Sequence, residues 1–309
     1  LASPGARVVA GGTDILPNLK HRLDRPPLLV SLARLTALRE VVRDDAAGVL
    51  RLGAGVTLTN LAEHALVREL FPSLAHAAGH VASPLIRNMG TLGGNVNLDT
   101  RCRYVNQTEF WRSAIGGCLK SEGDVCHVVP GGRNCVAAMS SDCVPVLIGQ
   151  DATIVLHGQN GRREIPLADY YVADGTRHTT KTDDELTLEL RVPLPKTPRR
   201  SSYSKWSVRK SIDFPLVSVA LRFDLERDAS DAAVTAMKVI VGVLGSRPRE
   251  VTRLDDLLGK SLADPALAQG VADRVHAQCK PLENVPYEAP YRREMLRVHT
   301  RRAIAALAG

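Results

Sequence analysis

The sequence predicts an α+β protein of two domains, and three observations point there. Residues 1–90 alternate short apolar strands with helix-like stretches. A glycine- and cysteine-rich stretch then breaks the pattern between Asp99 and Ser141. Pro193, Pro195 and Pro198 mark a boundary, beyond which a second set of strands gives way to helices. The expected domains are residues 1–198, with 100–140 as an insertion loop, and residues 199–309.

The elements follow in order. Arg7–Ala10 reads as an apolar strand, turned by Gly11 and Gly12 into a helix-like stretch from Thr13. Leu28–Leu32 and Leu50–Ala54 read as strands. Thr57–Val67 reads as a helix, with Leu58, Leu61, Ala62 and Ala65 on one face, and Glu69–Gly79 as a second helix broken near its start by Pro72. After the insertion come an apolar run at Cys143–Ile148 and strands at Ala152–Leu156, Arg163–Ile165 and Leu186–Val192. The second domain should hold strands at Ser202–Val208, Val217–Leu225 and Val234–Leu244, then helices at Arg249–Leu258, Asp264–Gln278 and Tyr291–Leu307.

Composition narrows the class. With 44% hydrophobic and 24% charged residues the chain is an ordinary folding sequence. No run approaches the ~18 apolar residues of a membrane span. The chain begins at Leu1 and shows no signal-peptide pattern, so the expected compartment is the cytoplasm. A net charge of +7 is scattered without a long basic run, and aromatics are only 4%, which argues against nucleic acid as a partner. The charge fits a mixed solvated surface, or attraction to a dinucleotide, an acidic electron carrier or an acidic partner subunit.

Two glycine loops carry the binding signal. One is Ala10-Gly11-Gly12-Thr13-Asp14, after a strand, and the other is Gly90-Thr91-Leu92-Gly93-Gly94-Asn95. Glycines let backbone N–H groups approach a phosphate closely, and Thr13, Thr91 and Asn95 add donors. Neither matches G-x-G-x-x-G or the Walker pattern. Each alone is a common turn; two together can clamp a diphosphate from both sides.

Of the six cysteines, five lie between Cys102 and Cys143, at intervals of 15, 7, 8 and 7 residues. Cys279 stands apart as a small core residue. Disulfides need an oxidising compartment, which nothing in the sequence supports. Zinc sites usually show close C-x₂₋₄-C pairs. An iron–sulfur cluster needs four converging thiolates, which a glycine-rich loop can wrap. The spacing alone leaves these, and unconnected thiols, open.

A resemblance adds to this. The strand leading into Ala10–Asp14, the run from Ala82 through Ser83-Pro84, Arg87-Asn88 and Gly90-Thr91 to Asn95, the later Asp142, and Tyr291-Arg292-Arg293 with Arg301-Arg302-Ala303 together resemble the FAD-binding subunits of the xanthine dehydrogenase and carbon monoxide dehydrogenase family. The likeness covers nearly the whole chain outside 100–140. It implies a two-lobed FAD domain of the vanillyl-alcohol-oxidase (PCMH) type, followed by a small α+β domain of the CO dehydrogenase flavoprotein C-terminal type. It implies that Val9, Ala10, Gly11, Gly12, Thr13 and Asp14, with Thr91, Gly93, Gly94 and Asn95, hold the FAD diphosphate. Asp142 would meet ribose or ribityl hydroxyls, Val81 would pack near the flavin, and Lys205 would lie close to it. From the residues alone these three read equally as a helix N-cap, a core residue and a surface charge.

Within the insertion, Thr100-Arg101-Cys102-Arg103-Tyr104 and the run from Asn134-Cys135 to Asp142 resemble one branch of that family, the flavin subunits of 4-hydroxybenzoyl-CoA reductase, whose insertion binds a [4Fe-4S] cluster. Flavin subunits of certain bacterial aldehyde oxidoreductases have a comparable insertion. The branch implies Cys102, Cys118, Cys126 and Cys135 as ligands; Cys143 begins an apolar run and is expected to be a core thiol. It implies an electron-relay subunit without catalytic residues of its own, in aromatic compound catabolism. Electrons would pass from ferredoxin through [4Fe-4S] and FAD to a [2Fe-2S] subunit and a molybdenum-cofactor subunit, in a heterohexamer of two copies of three chains. One alternative is the FAD/[4Fe-4S] subunit of an aldehyde oxidoreductase; another is a non-redox nucleotide-binding protein with structural zinc.

Neither glycine loop offers a His or Cys for a flavin linkage. Acid precipitation should therefore release the flavin into the supernatant, whereas flavin kept in the washed pellet would show a covalent bond.

Overall fold

In the computed structural model, residues 3–308 are described; Leu1, Ala2 and Gly309, at the outer ends of the two expected domains, lie outside the described residues. β1 (Arg7–Val9) pairs in parallel with β2 (Leu29–Ser31), and α1 (Ile15–Lys20) lies in the connection between them, as a parallel pair requires a crossover. β3 (Val41–Asp44) and β4 (Val49–Gly53) form a hairpin, with Leu50 and Leu52 of β4 fully buried on one face. A group of short helices follows: α2 (Leu58–Glu63), α3 (Ala65–Leu70), α4 (Pro72–Gly79), α5 (Pro84–Met89) and α6 (Leu92–Val96). Thr57, Ser83 and Thr91 start three of them, each side chain accepting from an N–H of the first turn. The single helix expected over Thr57–Val67 is two, because His64 takes an extended ψ of 126° between them.

Within the insertion, α7 (Glu109–Ala114) is the one helix. α8 (Cys143–Gly149) is buried at every residue. β5 (Thr153–Gly158), β6 (Gly161–Pro166) and β7 (Leu186–Pro193) complete an antiparallel sheet in the order β3-β4-β7-β5-β6, with α9 (Leu167–Tyr170) in the connection from β6 to β7. The second sheet contains β8 (Arg199–Trp206), β9 (Val217–Leu225), β10 (Val234–Gly242) and β11 (Arg249–Glu250), ordered β11-β10-β9-β8. α10 (Pro265–Gln278) and α11 (Ala289–Ala308) close the chain.

Strand alternation places α8 between the two domains. On β9 and β10, Val219, Leu221, Phe223, Val239 and Val241 join the core under α10 and α11, while Ala220 and Ile240 join the core that holds α8. The sheet is thus covered on both faces, which explains why β9 reads as a nearly unbroken apolar run. The α+β class expected from the sequence is the class observed. The helix expected at Arg249–Leu258 is absent. Val251 N–H donates to the Val239 carbonyl at 2.9 Å, keeping the chain on the sheet edge, and Arg253 at φ +59° allows only a 3₁₀ turn at Asp255–Leu257. Among the described residues no helix is long and apolar enough to cross a membrane.

Arg292 stitches the second domain. It is fully buried, and its guanidinium donates to the carbonyls of Leu216 (2.9 Å), Leu282 (2.6 Å) and Val243 (2.7 Å). Burial draws its pKa down to about 10. Arg292→Met should cost on the order of 3 kcal/mol, since buried carbonyls lose their donors. Arg292→Lys should recover only part, because a compact ammonium lacks the planar fork. Urea unfolding of the three proteins measures this.

Candidate functional site

The first glycine loop leaves β1 and turns straight against the second. A Cβ at Gly11 would collide with the Met89 carbonyl, and Gly12 sits at φ +73°. A Cβ on Gly90 would stand 3.4 Å from the Thr13 hydroxyl. Two loops far apart in sequence therefore share one seam, and only hydrogen side chains allow it. Among the described residues, the N–H groups of Gly11, Gly12 and Thr13 donate to no protein acceptor. They form a cluster of free donors suited to an anion.

The second loop differs. Leu92 N–H donates to Val56, Gly93 N–H to Ala54 at 2.7 Å, and Gly94 N–H to the Thr91 hydroxyl at 3.1 Å. A Cβ on Gly93 would lie 2.7 Å from that of Ala54. Gly93 is thus small in order to dock α6 on the end of β4, a packing reason distinct from close approach to a phosphate. The Thr91 hydroxyl accepts a hydrogen bond and keeps its own proton to donate. Asn95 is buried and faces inward, its Oδ1 accepting from the Ser141 hydroxyl at 2.6 Å and from Cys143 N–H at 3.2 Å.

Asp142 begins α8 but does not cap it with its side chain. Its carboxylate accepts from the Tyr203 hydroxyl at 2.7 Å and pairs with Lys205 Nζ at 3.1 Å. Lys205 also donates to the His80 carbonyl at 2.9 Å, one residue before the half-buried Val81. Only 8% of the Lys205 side chain and 3% of the Asp142 side chain are exposed, so Lys205 is an interior cation and the surface-charge reading fails. Desolvation drives the Asp142 pKa up, against the pull of Lys205 and Tyr203. Tyr203 was not singled out from the sequence. Strand parity on β8 puts it beside Lys205 on one face, a signal visible only once the strand is known.

Four cysteines converge. Cys102, Cys118, Cys126 and Cys135 line one narrow cavity of about 20 Å³, with Tyr104, Val105, Leu119, His127 and Val128 filling the gaps. Each remains 7–9% exposed, whereas Cys143 and Cys279 are fully buried in the domain cores. Burial pushes the Cys102 thiol up to about 11 and also raises Cys135. Gly175 makes room for Cys135, since a Cβ there would stand 2.8 Å from the sulfur. Lys120, missed in the sequence, ties the loop down by donating to Asp99 (2.5 Å), Thr100 (2.5 Å) and the Gly175 carbonyl (2.6 Å). Among the described residues no three His, Cys, Asp or Glu side chains stand close enough for a single ion.

The buried Lys205–Asp142 pair yields a test. Lys205→Met should cost about 3–5 kcal/mol at neutral pH by stranding a buried carboxylate. Because burial raises the folded pKa of this carboxyl, its penalty is complete above that pKa and fades as pH falls from there toward the ordinary carboxylate value. The deficit should therefore shrink on acidification, and adding Asp142→Asn should restore part of the loss; denaturant midpoints across pH check both.

Comparison with known proteins fits this geometry. Residues 1–195 match the family described as FAD binding domain in molybdopterin dehydrogenase, and residues 202–307 match the CO dehydrogenase flavoprotein C-terminal domain. The chain is 33% identical to the FAD-binding subunit of aldehyde oxidoreductase from Escherichia coli over 287 residues, 90% of this chain and 85% of that one. It is 27% identical to the carbon monoxide dehydrogenase medium chain of Hydrogenophaga pseudoflava, over 97% of this chain and 88% of that one. A solved structure of carbon monoxide dehydrogenase from the same organism superposes with a TM-score of 0.77 at 22% identity, covering 99% and 90% of the two chains, which establishes a shared fold.

Proposed function

The chain belongs to the FAD-binding medium subunits of the carbon monoxide dehydrogenase and xanthine dehydrogenase molybdenum enzymes, and from that premise we propose that it is an electron relay holding FAD and a cysteine-ligated [4Fe-4S] cluster. The observation that carries the cluster is the convergence of Cys102, Cys118, Cys126 and Cys135 on one cavity, while Cys143 points into another core. FAD accepts two electrons and releases them singly, and so couples one-electron clusters to a two-electron reaction.

The protein's part is positioning. The free N–H groups of Gly11, Gly12 and Thr13 bind the diphosphate, with Val9, Ala10 and Asp14 shaping their turn. Thr91, Gly93, Gly94 and Asn95 brace it from behind, and Asp142, Val81 and Lys205 shape the far end near the flavin. Cys102, Cys118, Cys126 and Cys135 would ligate the cluster, each giving up its thiol proton.

For the whole complex, the likeness of Thr100–Tyr104 and Asn134–Asp142 supports 4-hydroxybenzoyl-CoA reductase, with electrons entering from ferredoxin and leaving to a [2Fe-2S] subunit and a molybdenum subunit. Two copies of each of the three chains and a cytoplasmic location belong to the same proposal. A second reading, the FAD subunit of an aldehyde oxidoreductase with outward electron flow, is favoured by the 33% identity to the Escherichia coli subunit. Assay of the native complex with 4-hydroxybenzoyl-CoA and with aromatic aldehydes separates them.

The ligand set is tested by iron content and cluster spectra. Cys126→Ala should lose or degrade the cluster, since Ala supplies no thiolate, and Cys143→Ala should keep four irons. Iron lost in Cys143→Ala and kept in Cys126→Ala would overturn the assignment.

A further inference from the structure

The strand-like segment at Arg101 joins the two cofactor sites. Arg101 N–H donates to the Ala138 carbonyl at 2.8 Å, and Ala138 N–H donates back at 2.7 Å. Side chains alternate along such a segment, so Cys102 turns to the cysteine cavity and Arg101 turns away from it. Its guanidinium lies 4.7 Å above the ring of Phe214 and presses against the carboxylate of Asp14 in the first glycine loop. Nη1 reaches Asn18 Oδ1 only at 3.4 Å. Nη2 faces the Asp14 carboxylate, and Nε is buried without a hydrogen-bond acceptor among the described residues.

A guanidinium offers donors only, so whatever completes it must supply acceptor oxygens. Buried donors are nearly always satisfied, and an orphaned donor at a site marks a missing partner. The neighbouring free N–H groups of Gly11, Gly12 and Thr13 call for the same kind of partner. Arginine matches a phosphate with its planar fork, and loss of aqueous screening strengthens the bond. Asp14 then acts as the in-chain counter-charge that holds the guanidinium over the loop.

We infer that Arg101 donates to the diphosphate of bound FAD, completing from the cysteine-bearing segment a phosphate cradle that the glycine loop only begins. The inference rests on the reading that Gly11–Thr13 hold that diphosphate. It makes FAD occupancy and the placement of Cys102 depend on one short segment.

Titration of flavin-depleted full-length chain with FAD and with riboflavin, followed by flavin fluorescence, tests it. Arg101→Gln should weaken FAD binding by about tenfold or more, the size expected of a lost charge-assisted bond, and flatten its salt dependence. Arg101→Lys should weaken it less, and riboflavin, which lacks phosphate, should change under about twofold in either variant. Unchanged FAD affinity in Arg101→Gln, or equal weakening of FAD and riboflavin, overturns the inference; the latter assigns Arg101 a structural role. Should Arg101→Gln fail to fold, the FAD-to-riboflavin ratio in Arg101→Lys decides in the same way. Failure of the unaltered chain to bind FAD more tightly than riboflavin would instead refute the diphosphate reading of the glycine loop.

Discussion

A helix with no exposed face must be covered on every side, and α8 imposes that condition on the rest of the chain. Its residues Cys143–Gly149 pack against α4 and α6 of the first domain and against β9 and β10 of the second. Its N-terminal end carries Asp142, a carboxylate that cannot stay ionised in the interior without Lys205 and Tyr203. The two domains therefore meet through a packing requirement and a charge requirement at one place. Asn95 extends the joint to the second glycine loop by accepting from Ser141 and Cys143. The interior that holds the molecule together also fixes the loops at which the flavin is proposed to lie.

The insertion solves a different problem. Residues 99–141 contribute few aliphatic side chains to either domain core. Polar anchors hold the segment in place. Lys120 gathers Asp99, Thr100 and Gly175, Arg112 donates to the carbonyls of His21, Arg22 and Gln107, and Asn284 donates to the Val136 carbonyl. Four thiols are left facing inward around a narrow space. Its glycines sit where the chain must bend, at Gly116, Gly117 and Gly131 with positive φ.

The two glycine loops show that like sequences can serve unlike ends. In the first, glycine leaves backbone donors free; in the second, Gly93 lets a helix dock on Ala54 and its N–H is spent inside the chain. The two loops thus differ in how many backbone donors each keeps for a ligand.

By itself the sequence determined the fold class, most strand positions and the family, because period-two burial and a long glycine-bearing run are local signals. Val217–Leu225 matches its strand to the residue. It missed β3, whose Val41–Asp44 is half exposed, and misread Arg249–Leu258, where the sheet edge overrides helical periodicity. It named Asp142, Lys205 and the four clustered cysteines, but not their partners. Tyr203 lies 61 residues from Asp142 and Arg101 sits across the fold from Phe214, and such pairings arise only when strands and loops are brought together. Tertiary structure alone decided that Lys205 is interior and that a guanidinium beside Cys102 reaches the glycine loop. The reason is that desolvation and close approach belong to places in space, and a linear order of residues does not contain them.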